Sequence, residues 1–236
     1  MTKTLPVFEA LEHSFHLTFD NLGAAFRFSW AWMLAIVGVA GLSIRAAASK
    51  GAVTAQGAIM MFSPLFLWAF LAVVSVAVVW HRYILRDEGA GMAYNMRADG
   101  TVWRYLGNVI AILISSVVMA IPFGILGALI GSKAIAQVAF VFVMPVVYRM
   151  SIKLPAIALG DTNFTFKDAM AYSTGNYWQL LGLSVIVIVM SFLLDLAGQM
   201  LLGIGSAFGA PGVIITSILA IIPQLIFAIF SISMLT

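Results

Sequence analysis

The length and number of its apolar runs constrain the fold of this chain more than any other feature. Residues 59–80 contain no charged side chain, and the run stops at His81-Arg82. A helix needs about 20 apolar residues to cross about 30 Å of hydrocarbon, and this run has that length. Only 9% of all residues are charged, whereas soluble domains carry about 25%. The pattern predicts an all-α, polytopic transmembrane helical bundle, because long uninterrupted runs favour helices over the alternating strands of a barrel.

Six runs have the length and composition of membrane spans, and we expect them to form a single integral membrane domain over residues 1–236. Trp and Tyr residues lie near several of their ends, as is typical of membrane–water interfaces. The predicted spans are residues 28–44, 59–80, 105–130, 134–148, 180–202 and 213–234.

Residues 6–23 predict an amphipathic helix that lies in the membrane interface before the first span. Apolar side chains, among them Phe8, Phe15 and Phe19, fall on one side of this helix at 100° per residue. Acidic and histidine residues lie on the other side, at a helical spacing that would suit metal ligands. A solvated polar face explains these residues equally well, so no metal site is predicted. The polar stripe consists of Glu9, Glu12, His13, His16 and Asp20.

The distribution of basic residues predicts the orientation of the bundle. Nine of the twelve Lys and Arg residues are predicted on one side of the membrane. They lie before the first span, in the connection between the second and third spans, or in the connection between the fourth and fifth spans. The other three are Arg45, Lys50 and Lys133. Because basic residues are enriched on the cytoplasmic side, both termini and the two longer connections are predicted to be cytoplasmic.

The two longer connections belong to an internal repeat. Each unit leaves a span at a ring-bearing residue followed by Arg, His81-Arg82 in one unit and Tyr148-Arg149 in the other. Each then crosses a polar linker and re-enters at a Trp-x-x-Leu-Gly sequence, at residues 103–107 and 178–182. Both units start from the same side, so the sequence predicts a parallel repeat and not the inverted repeat of many secondary transporters.

Residues 81–88, 154–156 and 174–182 read HRYILRDE, LPA and TGNYWQLLG. In these segments the chain resembles a broad group of uncharacterised bacterial inner-membrane proteins. That group is akin to the membrane domain attached to some glycerophosphoryl diester phosphodiesterases. The resemblance implies a six-helix module of a bacterial inner membrane. It does not imply phosphodiesterase activity, because the chain has no such catalytic domain.

Asp195 is the acidic residue that lies inside a predicted span. An acid there costs about 2.5–3.5 kcal/mol on insertion scales and usually faces the bundle interior. Gln199 follows one helical turn later, and Arg45 and Lys133 are the nearest candidate cations on the same side. The acid is either a proton or cation site or a structural lock between helices. The lock is favoured, since a proton relay normally has a second intramembrane acid.

A rim of basic side chains is predicted to face the cytoplasmic headgroups. Cations at the end of a helix complement its dipole and extend towards anionic lipid, so this feature alone does not require a specific ligand. Convergence of several members would favour a lipid phosphate. The candidate contacts for a headgroup or a protein partner are His81, Arg82, Arg86, Arg104, Arg149 and Lys153.

The sequence contains no set of residues typical of an enzyme. There is no cysteine, no Gly-rich phosphate loop with Lys, no GxSxG sequence and no metalloprotease helix. We therefore predict a non-catalytic protein without a cofactor and without nucleic-acid binding. It would be an accessory, scaffold or assembly subunit that packs against other inner-membrane proteins, a second copy of itself or membrane lipids. The first alternative is a small secondary transporter or channel with Asp195 in its pathway. The second is a lipid-handling enzyme that uses the basic cytoplasmic rim.

Overall fold

The computed structural model describes the backbone of residues 5–50, 55–89 and 97–236. It describes side chains over 5–39, 63–89, 97–132 and 140–236, except 210–211, 213–214 and 218. These residues form nine helices and no strand. The helices are α1 (Val7–Phe19), α2 (Leu22–Lys50), α3 (Ala55–Arg86), α4 (Gly100–Ile130), α5 (Lys133–Ser151), α6 (Lys153–Ala158), α7 (Phe166–Tyr172), α8 (Tyr177–Ser206) and α9 (Gly209–Ser233).

The predicted class, an all-α polytopic helical bundle, is confirmed. Six helical segments are long and apolar enough to cross a membrane. They belong to α2, α3, α4, α8, α9 and the consecutive helices α5 and α6. The helices extend several residues beyond most of the predicted spans, because apolar composition marks the membrane-crossing part of a helix and not its ends.

Helix α3 lies at the centre of the bundle. It contacts α2, α4, α6 and α9, and its residues 74–81 are all buried. One hydrophobic cluster joins α2, α3 and α9 around Phe28, Trp80 and Ile229. A second cluster joins α3, α4 and α6 around Val78 and Tyr105. Residues 74–81 of α3, which end one turn before the charged loop, are therefore enclosed by neighbouring helices.

The hairpin of α8 and α9 depends on a close approach of the two helices. A methyl group on Gly205 would lie 2.8 Å from the Gly212 carbonyl oxygen and 2.9 Å from the Thr216 methyl carbon. Such distances are too short for a side chain, so glycine lets the two backbones pack together. Gly131 has a different role, because it ends α4 with a φ of 70° that favours glycine.

Helix α1 has three faces where the sequence predicted two. The phenylalanine side is exposed, with Phe8 at 80%, and the acidic and histidine side is exposed as well. A third face carries the buried hydroxyl residues Ser14 and Thr18, and α1 contacts α9, α8 and α2. The side of α1 that packs on the bundle thus carries small polar residues and lies between the phenylalanine side and the acidic and histidine side.

Candidate functional site

Two members of the predicted basic rim are bound to a short loop that follows α3. The Arg82 guanidinium donates to Glu88 Oε2 over 2.6 Å and to the carbonyl oxygen of Ala158 over 3.2 Å. Arg86 lies 3.7 Å from the other oxygen of the same carboxylate. Arg82 thus connects the end of α3 to α6 and has little capacity left for a ligand.

Arg149 bonds within the chain in a similar way. Its Nε donates to Ser173 Oγ over 2.9 Å, and a terminal nitrogen donates to the carbonyl oxygen of Met170 over 2.6 Å. These bonds connect the end of α5 to the end of α7. Arg82 and Arg149, the equivalent residues of the two predicted repeat units, therefore both hold the polar linkers onto the bundle.

His81 does not face the headgroups as the sequence predicted, since its exposed fraction is 0%. Its Nδ1 lies 3.0 Å from Thr236 Oγ1 and its Nε2 lies 3.3 Å from the Tyr105 hydroxyl. The prediction placed the end of α3 at a lipid-facing surface, whereas neighbouring helices enclose this turn. His81 is a structural link between α3, α4 and the segment after α9.

A buried chain of hydroxyl groups lies beside His81. The Trp80 indole N–H donates to Ser233 Oγ over 3.0 Å, and Ser233 Oγ lies 3.2 Å from Thr18 Oγ1. The Tyr83 hydroxyl donates to Asn21 Oδ1 over 3.0 Å. These bonds join α1, α3 and α9. Neither Ser233 nor Thr18 was predicted as a functional residue, because a small hydroxyl residue gives no sign in the sequence of which helix it contacts.

The remaining two members of the rim, Arg104 and Lys153, line one polar pocket between α4 and α6. The pocket has a volume of about 130 Å³ and also contains polar residues that were not predicted as site residues. Its lining is Arg104, Asn108, Lys153, Ile157, Asp161 and Thr162.

Neither cation of this pocket forms an ion pair within the described part of the chain. Arg104 Nε donates to the carbonyl oxygen of Gly100 over 3.2 Å, which leaves its two terminal nitrogens available. The Lys153 ammonium lies 4.2 Å from the centre of the Phe166 ring. Asp161 lines the same pocket but lies too far from both cations for an ion pair. The pocket therefore combines two uncompensated positive charges with a separate negative one.

Asp195 is hydrogen-bonded to a neighbouring span. The Gln224 amide of α9 donates to Asp195 Oδ1 over 3.2 Å, and Asp195, Gln199 and Gln224 are all exposed. The candidate partners Arg45 and Lys133 have side chains outside the described residues. Gln224 was not predicted, although its sequence signal was available in the form of an amide inside the sixth apolar run.

Asp195 does not line the apolar cavity of about 70 Å³ that lies between α2, α3 and α9. Trp32 lines this cavity, and its buried indole nitrogen has no hydrogen-bond partner among the residues that the structure describes. In the described part of the chain, no group of three or more His, Cys, Asp or Glu residues is arranged to hold a metal ion.

Comparison with known proteins adds no functional information. The chain matches no protein-family model, no curated protein and no solved structure at a significant level. The resemblance drawn from residues 81–88, 154–156 and 174–182 therefore stays a prediction.

Proposed function

We propose that this protein is a non-catalytic accessory or assembly subunit that packs against another integral membrane protein. We place it in a bacterial inner membrane with both termini in the cytoplasm, on the basis of the basic-residue distribution and the resemblance. The observation that carries the proposal is the exposed polar patch formed by Asp195, Gln199 and Gln224 on α8 and α9.

The cost of exposing this patch to lipid supports a protein partner. Asp195 is 11 residues from Ser206, the nearer end of α8, which corresponds to about 17 Å at 1.5 Å per residue. A carboxyl group so far inside a span costs about 2.5–3.5 kcal/mol and normally faces protein or water. The Gln224 amide satisfies one of its oxygens, and Gln199 adds a polar group on the same helix. A partner helix with donor groups at this depth would remove the remaining cost.

The patch supports a subunit better than a transporter. A transport site usually lies between helices that enclose a pathway near the midplane of the membrane. Asp195 lines neither the cavity near Trp32 nor the pocket near Arg104. Its contact with Gln224 resembles an interhelical lock more than a substrate site.

Extraction of the tagged protein from its own membrane in mild detergent, followed by native mass spectrometry, tests the proposal. We expect a defined assembly heavier than one chain. Gln199→Leu should reduce that assembly, because it removes a polar group of the patch without breaking the Asp195–Gln224 bond. Ser116→Leu, a polar-to-leucine change on α4, is the matched control and should leave the assembly intact. A wild-type protein that is extracted only as a lone chain would contradict the proposal, as would an unchanged assembly in Gln199→Leu.

A further inference from the structure

The pocket between α4 and α6 has the composition of a phosphate site. Arg104 and Lys153 line it without a carboxylate partner among the described residues, and Asn108 and Thr162 add hydrogen-bonding groups. Guanidinium and ammonium groups are the usual partners of phosphate, because their hydrogen bonds to it are charge-assisted. Asp161 lines the same cavity but forms an ion pair with neither cation, so an added anion between Arg104 and Lys153 would lower the repulsion between them.

The surroundings of the pocket suit a phosphate that belongs to a lipid. Trp103, next to Arg104, is 55% exposed, and such tryptophans lie at the level of the headgroups. Further along α4, Ile114 and Val118 are 59% and 58% exposed. Gly107 lies between the pocket and these residues and has open space around it. A polar pocket therefore adjoins an apolar helix face, which suits a ligand with a charged headgroup and acyl chains.

Asp161 gives the pocket a negative charge beside the two positive ones. Its Oδ1 accepts a hydrogen bond from the Asn163 N–H over 2.8 Å, which leaves Oδ2 able to accept another. This carboxylate is exposed and is separate from the two cations. In a headgroup with a phosphodiester and a terminal amine, the phosphodiester matches the two cations and the amine matches Asp161. A headgroup that bears only hydroxyl groups offers no cation to Asp161.

We infer that this pocket binds the headgroup of an amine-bearing glycerophospholipid. Arg104 and Lys153 hold the phosphodiester, Asn108 and Thr162 donate hydrogen bonds to its oxygens, and the lipid amine contacts Asp161. This binding is separate from the patch around Asp195 and does not depend on a protein partner.

Lipid titration of the purified full-length protein in detergent, followed by native mass spectrometry, tests the inference. The probes are phosphatidylethanolamine, phosphatidylglycerol and inorganic phosphate. Wild type should bind phosphatidylethanolamine most tightly. Arg104→Gln and Lys153→Gln should each lower the affinity for both lipids by about tenfold or more, since each variant removes a charged hydrogen bond. Asp161→Asn should lose the preference for phosphatidylethanolamine and still bind phosphatidylglycerol.

The matched control is Lys167→Gln, which removes an exposed cation outside the pocket and should leave lipid binding unchanged. Unchanged affinity in Arg104→Gln and Lys153→Gln would overturn the inference. Equal affinity of wild type for the two lipids would overturn the role of the amine. Displacement of the lipid by an equal concentration of inorganic phosphate would show that the pocket recognises a free anion instead of a lipid.

Discussion

Ser233 connects three helices through one hydroxyl group. It accepts the Trp80 indole N–H, lies 3.2 Å from Thr18 Oγ1 and donates to the Ile229 carbonyl oxygen. All of these groups are buried around Ser233, which is 1% exposed. A buried donor that loses its acceptor keeps the cost of its desolvation, so this hydroxyl is worth more than a surface one.

We therefore expect Ser233→Ala to lower the free energy of unfolding by about 1–3 kcal/mol, because the Trp80 N–H loses its acceptor. Thermal unfolding in detergent would measure the change. Ser231→Ala is the matched control, since Ser231 donates only to the Phe227 carbonyl oxygen of its own helix. Equal stability of the two variants would show that the hydroxyl chain does not hold α1, α3 and α9 together.

At the scale of elements, the short linker helix α7 depends on its first residues. Thr165 and Asp168 form a capping box, in which the Thr165 side chain accepts from the Asp168 N–H and the Asp168 carboxylate accepts from the Thr165 N–H. The hydrogen bonds from the Thr165 side chain and backbone hold the pKa of Asp168 below its usual value. The helix is therefore stabilised by the ionised carboxylate.

This lowered pKa predicts the pH dependence of α7. The stabilisation should be complete above the usual carboxyl pKa of about 3.9 and should be lost as the pH falls through the lower folded value. Hydrogen exchange of residues 166–172, corrected for the intrinsic rate, would measure it. Asp168→Asn, which has no titrating group, should lack this pH dependence. Protection of wild type that does not change at acidic pH would contradict the prediction.

The sequence predicted the elements better than their contacts. The six apolar runs are local patterns, and the structure contains a membrane-spanning helical segment at each of them. Burial of His81 was not predictable from the sequence, because a basic residue at the end of an apolar run reads the same whether lipid or protein surrounds it. The pocket near Arg104 brings α4 together with α6, and no local pattern specifies that contact. Gln224 was overlooked because one amide adds little to an apolar average.

The two predicted repeat units share a pattern of exposure. Trp103 and Trp178 are both exposed, and the residues two positions later, Tyr105 and Leu180, are both buried. Arg82 and Arg149 both bond to polar linkers, Arg82 to Glu88 and Arg149 to Met170. The two units therefore resemble each other in the burial and hydrogen bonding of equivalent side chains as well as in sequence. A duplicated helix–linker–helix unit would retain such features.

At the scale of the whole molecule, the bundle has one well-packed end and one polar patch that it does not cover. The buried hydroxyl chain, the Arg82 and Arg149 bonds and the lipid pocket all lie near the end where α3 and α5 finish. Asp195 and Gln224 lie deep in their helices and remain exposed. This contrast supports a protein that is well packed at one end and meets a partner within the membrane.

Site-directed photo-crosslinking in native membranes tests this contact most directly. The chain has no cysteine, so a single Phe192→Cys change places a crosslinker beside Asp195, at a side chain that is 64% exposed. Val117→Cys on α4, at 62% exposure, is the matched control. We predict one crosslinked product of defined mass from residue 192, none from residue 117, and loss of that product when Gln199→Leu is added. No protein crosslink from residue 192, or the same products from both positions, would contradict the proposed partner surface.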